Sequence, residues 1–170
     1  MEEFEPENRP MPRVFKIKKD GKISLGPFEG KPVNTISMLL FEDIKSSLLW
    51  VKNNGGLQFL INKAKENSDF LYEFIDNNEF LETLCKEKKY RSPTSVCFHI
   101  KDKFCKNEEE KTTITNEIRS ILEKENVAFD INSYRGMPVG FRIWCGPTVD
   151  LDDIKIVCEW IETLLIKKFK

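Results

Sequence analysis

Apolar residues recur at helical spacing over about 36–53, where Leu40, Phe41, Ile44, Leu48 and Val51 lie three or four positions apart. Leu39, Leu49 and Trp50 widen the apolar surface, so this helix is expected to be buried on more than one face. Asn53, Asn54, Gly55 and Gly56 end it, because Asn and Gly tolerate the left-handed cap. A second helix is predicted over 57–77, with Leu57, Leu60, Ile61, Ala64, Leu71 and Ile75 on one stripe. From about residue 92 the period changes. Val96, Phe98 and Ile100 alternate with Cys97 and His99, which predicts a half-buried strand. Residues 108–125 read as an amphipathic helix with Ile114, Ile118, Ile121 and Leu122 inward, and Glu108 to Glu110 suit its positive N-terminal end. Strands are predicted over 127–131 and 141–145, bridged by an irregular stretch containing Gly136 and Pro138. The last helix starts at Asp150 as N-cap and carries Leu151, Ile154, Val157, Cys158, Ile161 and Leu165.

The first 35 residues contribute little. Pro6, Pro10 and Pro12 block early helix. A short strand is expected over 13–17, a turn over 18–22 with Gly21 supplying the permissive backbone, and an extended piece over 23–28. From 57 onward the order is helix, strand, helix, strand, strand, helix. That order predicts an α/β (α+β) fold, a small sheet with helices packed against it.

Length and charge narrow the function classes. A chain of 170 residues fits one domain, or one domain with a lead-in. The formal net charge of -1 shows no basic excess that would favour nucleic acid or an anionic membrane. No apolar run is long enough to span a bilayer, and the acidic N-terminus lacks the features of a signal peptide. Cys85, Cys97, Cys105, Cys145 and Cys158 are odd in number and form no CxxC pair. With His99 as the only histidine, no metal site is expected. The cysteines read as reduced, mostly buried thiols of a cytoplasmic protein.

Few residues suggest chemistry. Arg142 lies on a predicted strand between Phe141 and Ile143, and alternation puts it on the opposite face from both. A guanidinium there must reach water or meet an anion, and its planar fork matches carboxylate or phosphate. Arg135, in the bridge before it, either converges on the same anion or is a second surface arginine. Asn34 and Thr35 precede a helix, where their side chains cap it or help bind a phosphate. His99 reads as structural, since no nucleophile or carboxylate partner stands near it in sequence. The short lysine runs read as solvated faces. The chain has no phosphate-binding glycine loop, dinucleotide fingerprint, nucleophile elbow or zinc-protease motif.

Several segments, in order, carry a resemblance. They are Pro10-Met11-Pro12-Arg13-Val14-Phe15; Val33-Asn34-Thr35-Ile36-Ser37-Met38 with Trp50 and Gly55-Gly56; Arg91-Ser92-Pro93-Thr94-Ser95-Val96-Cys97; Asp130-Ile131-Asn132-Ser133-Tyr134-Arg135; and Gly140-Phe141-Arg142-Ile143-Trp144-Cys145-Gly146. From Pro10 onward the chain resembles the C-terminal part of phosphoserine aminotransferases, pyridoxal-phosphate enzymes of fold type I.

The resemblance implies two parts. Residues 1–55 would be the tail of the large cofactor-binding domain, and 56–170 the small C-terminal domain with its connecting helix. It implies that Asn34 and Thr35 bind the phosphate of pyridoxal 5'-phosphate held by the neighbouring subunit of a homodimer. Arg142 would hold the substrate carboxylate and Arg135 the phosphate of phosphoserine. Other branches have histidine where Tyr134 stands. The implied reaction exchanges an amino group between glutamate and phosphohydroxypyruvate in serine biosynthesis. The catalytic lysine, the aspartate that pairs with the pyridine nitrogen and the aromatic that stacks on the ring match no residue here. No catalytic residue is therefore assigned, and the chain alone is expected to be inactive. It would work with the missing N-terminal half as partner, or else be a noncatalytic interaction module. In either case the helix at 36–53 should leave Leu40, Ile44 or Leu48 exposed.

Overall fold

The computed structural model describes residues 12, 18–19 and 21–170. The chain divides into two compact units between Trp50 and Val51. The strand expected over 13–17 lies outside the described residues.

In the first unit, β1 (Lys18–Lys19) pairs antiparallel with β2 (Lys22–Ile23). Gly21, at φ 73°, makes the reversal, as its lack of a Cβ allows. The extended piece expected over 23–28 is cut short, because Gly26–Glu29 forms a 3-10 turn with Pro27 near its start. Helix α1 (Met38–Asn53) follows. Its N-terminus is satisfied by Ser37, whose hydroxyl accepts from the Leu40 N–H at 3.4 Å and whose carbonyl accepts from the Phe41 N–H at 3.0 Å. None of its residues is buried. The expected burial on more than one face is thus not met among the described residues. Leu40, Ile44 and Leu48 all stand exposed, with Leu48 at 63%.

The second unit holds the core. Gly55, at φ 108°, provides the left-handed step into α2 (Gly56–Asn77). Its buried stripe is Ala64, Asn67, Ser68, Leu71 and Ile75, positions that recur each turn. Leu57 and Ile61, expected on that stripe, are exposed, so the helix enters the core only from Ala64 onward. The sheet is antiparallel in the order β3 (Leu81–Thr83), β4 (Ser95–Ile100), β5 (Phe141–Trp144). Leu81 pairs with Ile100, and Phe98 with both Thr83 and Phe141. The period-2 pattern holds: Val96, Phe98, Ile100, Phe141 and Ile143 are buried, while Cys97, His99 and Arg142 are half-buried on the other face.

Helices α3 (Glu108–Lys124) and α4 (Leu151–Phe169) bury Ile114, Ile118, Leu122, Ile154, Val157, Cys158, Ile161 and Leu165 in the same core. Asn107 caps α3, accepting from the Glu110 N–H at 2.8 Å. Ile121 is exposed rather than inward. It lies just off the buried face, which includes Thr115 and Lys111, whose ammonium reaches Asp102 at 2.6 Å. Asp150 is the N-cap residue of α4, but its carboxylate takes Lys63 at 2.5 Å instead of a helix N–H. Phe80, Phe104 and Phe169 pack ring against ring at 5.0–5.6 Å.

Two strand expectations need correction. Residues 127–131 are not a strand: Asn126 and Asp130 both have positive φ, and Phe129 points to solvent. β3 was not foreseen, because three residues are too few to show an alternation. All five cysteines are free. Cys145 and Cys158 are buried, and burial pushes both thiols up to about 12. The other three are half-buried.

Candidate functional site

The sheet's outer face, away from the core, places Arg142 by register. Arg142 lies opposite Cys97, Trp144 opposite Ser95, and Glu82 opposite His99. The Arg142 N–H donates to the Ile131 carbonyl at 2.9 Å, and an isolated bridge joins Asn132 to Phe141. The chain before β5 is thereby fastened to that strand. The Arg142 guanidinium comes within 3.7 Å of the Asp130 carboxylate, which is widely exposed. At that separation the pair is loose, and the guanidinium keeps its donors for another acceptor.

The loop from Ser133 to Gly140 crosses this face. Ser133, Tyr134, Met137 and Pro138 meet Leu84, Cys97 and His99 around a cleft of about 30 Å³. Arg135 sits in this loop, exposed, with no ion pair among the described residues. The structure thus puts Arg142 on a rigid strand and Arg135 in a loop over the same face. His99 is bracketed, its Nδ1 3.0 Å from the Ile100 carbonyl and its Nε2 3.9 Å from Glu82, a carboxylate neighbour that strand pairing supplies and the local sequence did not show.

Asn34 and Thr35 belong to the first unit. Both are exposed, in a bent segment ahead of α1. Of the two readings open in the sequence, capping falls to Ser37, and neither side chain has a hydrogen-bond partner among the described residues. The amide and the hydroxyl are thus uncommitted and can donate to an anion's oxygens. No cluster of His, Cys, Asp or Glu able to hold a metal occurs among the described residues. No helix among them is long and apolar enough to cross a membrane.

Sequence reasoning missed two features. Asp130, partner of Arg142, stood inside a recognised block, but its contact depends on a left-handed backbone at φ 51°. Arg91, on the inner side of a groove of about 980 Å³ along α2, is bound at 2.7 Å by both oxygens of Asp76. It also lies over the Tyr72 ring at 4.6 Å. The spacing of fifteen residues between Asp76 and Arg91 gave no local signal.

No family model matches the chain. It is 42% identical over 153 residues to the phosphoserine aminotransferase of Methanosarcina mazei, an alignment covering 90% of this chain and 39% of that protein. Its fold superposes on phosphoserine aminotransferase from Bacillus circulans subsp. alkalophilus with a TM-score of 0.69 at 17% identity, covering 84% of this chain and 37% of that one. Pyridoxal-phosphate-bound phosphoserine aminotransferase from Trichomonas vaginalis gives a TM-score of 0.65 at 15% identity, covering 81% and 36%. The chain spans 39% of the length of the curated relative it matches at 42% identity. In sequence and in fold it is a relative of one part of the phosphoserine aminotransferases.

Proposed function

We propose that this chain supplies the substrate-anion and cofactor-phosphate contacts of a phosphoserine aminotransferase, and that by itself it does not catalyse the reaction. The observation that carries this reading is Arg142. It stands on the open sheet face with its donors only loosely engaged, inside the segment Gly140 to Gly146, in a chain 42% identical to such an enzyme. Arg142 takes the substrate carboxylate in a planar fork, and Arg135, brought over by its loop, takes the phosphate. Two cations that converge on one anion are each favoured by its charge. Asn34 and Thr35 hold the cofactor phosphate. Pyridoxal phosphate, when bound, supplies the electron sink for amino-group transfer. The lysine that would hold it covalently has no counterpart in these residues and belongs to the remaining part of such an enzyme, within a cytoplasmic homodimer.

The test has two arms. The purified chain is incubated with pyridoxal phosphate, reduced with borohydride and mapped for modified lysines. No single lysine should be labelled stoichiometrically and no turnover should appear; a stoichiometric adduct accompanied by turnover overturns the proposal. In the enzyme reconstituted with a lysine-bearing partner, Arg142→Lys should weaken phosphoserine binding by about 1–3 kcal/mol, because the charge stays and the fork is lost.

A second reading is favoured by α1, whose apolar residues other than half-buried Val51 are all exposed: a noncatalytic module that packs against a partner. Binding of the lysine-bearing half without any gain of activity would select that reading.

A further inference from the structure

Arg119, on α3, is a half-buried cation that faces no carboxylate. Its Nη2 donates to the Gly140 carbonyl and its Nη1 to Asn116 Oδ1 at 3.0 Å. Its Nε is buried with no acceptor. The guanidinium carbon lies 5.8 Å from the centre of the Phe141 ring. Arg91 and Lys111 are each met by an aspartate, whereas half-buried Lys101 is met by the Asn78 and Glu79 carbonyls. A cation removed from water without a counter-ion is costly. Desolvation accordingly lowers the pKa of Arg119.

What that group holds is a junction. Gly140 ends the loop that carries Arg135 and leads directly into β5, which carries Arg142. A Cβ at Gly140 would stand 2.3 Å from the Phe98 carbonyl oxygen and 3.0 Å from His99 Cβ, so its backbone lies against β4 with no room to spare. One side of the junction is fixed by that close approach, and the carbonyl is fixed by Arg119. Within the loop itself the main-chain bond is Met137 N–H to the Tyr134 carbonyl at 3.1 Å. With the start of the loop fastened at Asn132 and Ile131, the Gly140 end is the second point that fixes how it lies over the sheet.

We propose that Arg119 is a positioning residue: through the Gly140 carbonyl it fixes the end of the 133–140 loop, and so sets Arg135 relative to Arg142 for binding a phosphorylated amino acid. The inference rests on the substrate roles proposed for those two arginines. Arg119 touches no substrate. Its charge polarises and orients one carbonyl, which a neutral side chain of equal length would not do as strongly.

The test uses the whole chain and two variants. Arg119→Met keeps the stem but removes the donors, and Arg119→Lys keeps the charge. Amide exchange is followed by NMR at Phe141 and Arg142, with Leu71 and Val96 as core references, and phosphoserine is titrated against the amide shifts of residues 133–142. In Arg119→Met, exchange at 141–142 should accelerate at least tenfold relative to the core references, and phosphoserine should bind at least threefold more weakly. Arg119→Lys should recover part of both. Unchanged exchange and affinity in Arg119→Met overturn the inference. So does uniform acceleration that includes the core amides, which would mean a loss of global stability only. Should Arg119→Met not fold, Arg119→Gln carries the same comparison. If the wild-type chain shows no phosphoserine shifts at 135 and 142, the proposed function fails, and the local exchange result still decides whether Arg119 fixes the loop.

Discussion

Helices α1 and α4 invite comparison. Both are long, 16 and 19 residues, and both carry aliphatic and aromatic side chains on most turns. Helix α4 buries Ile154, Val157, Cys158, Ile161 and Leu165 against the sheet and its neighbouring helices. Helix α1 buries nothing. The difference is not in propensity or in apolar content. It lies in whether the described elements of the same unit provide a surface to receive the stripe. Apolar pattern says that a face prefers to leave water, and only the remaining elements say whether it can. An uncovered face as wide as that of α1 marks a place where other protein belongs.

That contrast can be broken by mutation. Phe98, 1% exposed and stacked 5.2 Å from Phe141, lies at the centre of the second unit. Phe98→Ala should lower the unfolding free energy by about 3–5 kcal/mol, read from urea midpoints. A much smaller loss would mean the core is loosely packed and the contrast with α1 overstated.

Asp76→Asn should follow, at about 1–3 kcal/mol, because Arg91 loses its charged partner while remaining largely shielded. The pH dependence sharpens this. The hydrogen bond from Arg91 is the main cause that holds the Asp76 carboxyl below its ordinary value of 3.8, against the opposing effect of burial. A depressed carboxylate contributes stability that is fully present above the unfolded value and is lost as pH falls through the folded one. The gap between wild type and Asp76→Asn should therefore hold steady above about pH 5 and close below the ordinary aspartate value.

The smallest effect is expected on α1. Leu48→Ser should change the unfolding free energy of the second unit by less than about 0.5 kcal/mol. It should nonetheless reduce self-association in light scattering. A large destabilisation would show that α1 is covered in solution after all.

Where the sequence was legible, a long periodic signal met a buried face. Helices α2, α3 and α4 and strands β4 and β5 all fall within a few residues of their expected bounds, because each repeats its pattern over several turns or pleats. Legibility failed where geometry rather than pattern decides. Residues 127–131 look like a strand, yet Asn126 and Asp130 turn left-handed and the segment stays irregular. The apolar start of α2 looks like core, yet Leu57 lies beyond the reach of the sheet. In the candidate site, alternation alone placed Arg142 on the outer face. Asp130 and Arg119 were not legible, since each acts through a contact made by a loop that has no period.

The bond from the Arg142 N–H to the Ile131 carbonyl has a further consequence. β5 is an edge of a three-stranded sheet, and an open edge is a template on which a second chain can polymerise. Residues 131–132 occupy part of that edge, so the same short stretch that fastens the loop also blocks strand addition. Substitutions that free it, such as proline at Asn132, are expected to expose a growth face and seed fibrils rather than merely lower affinity for an anion.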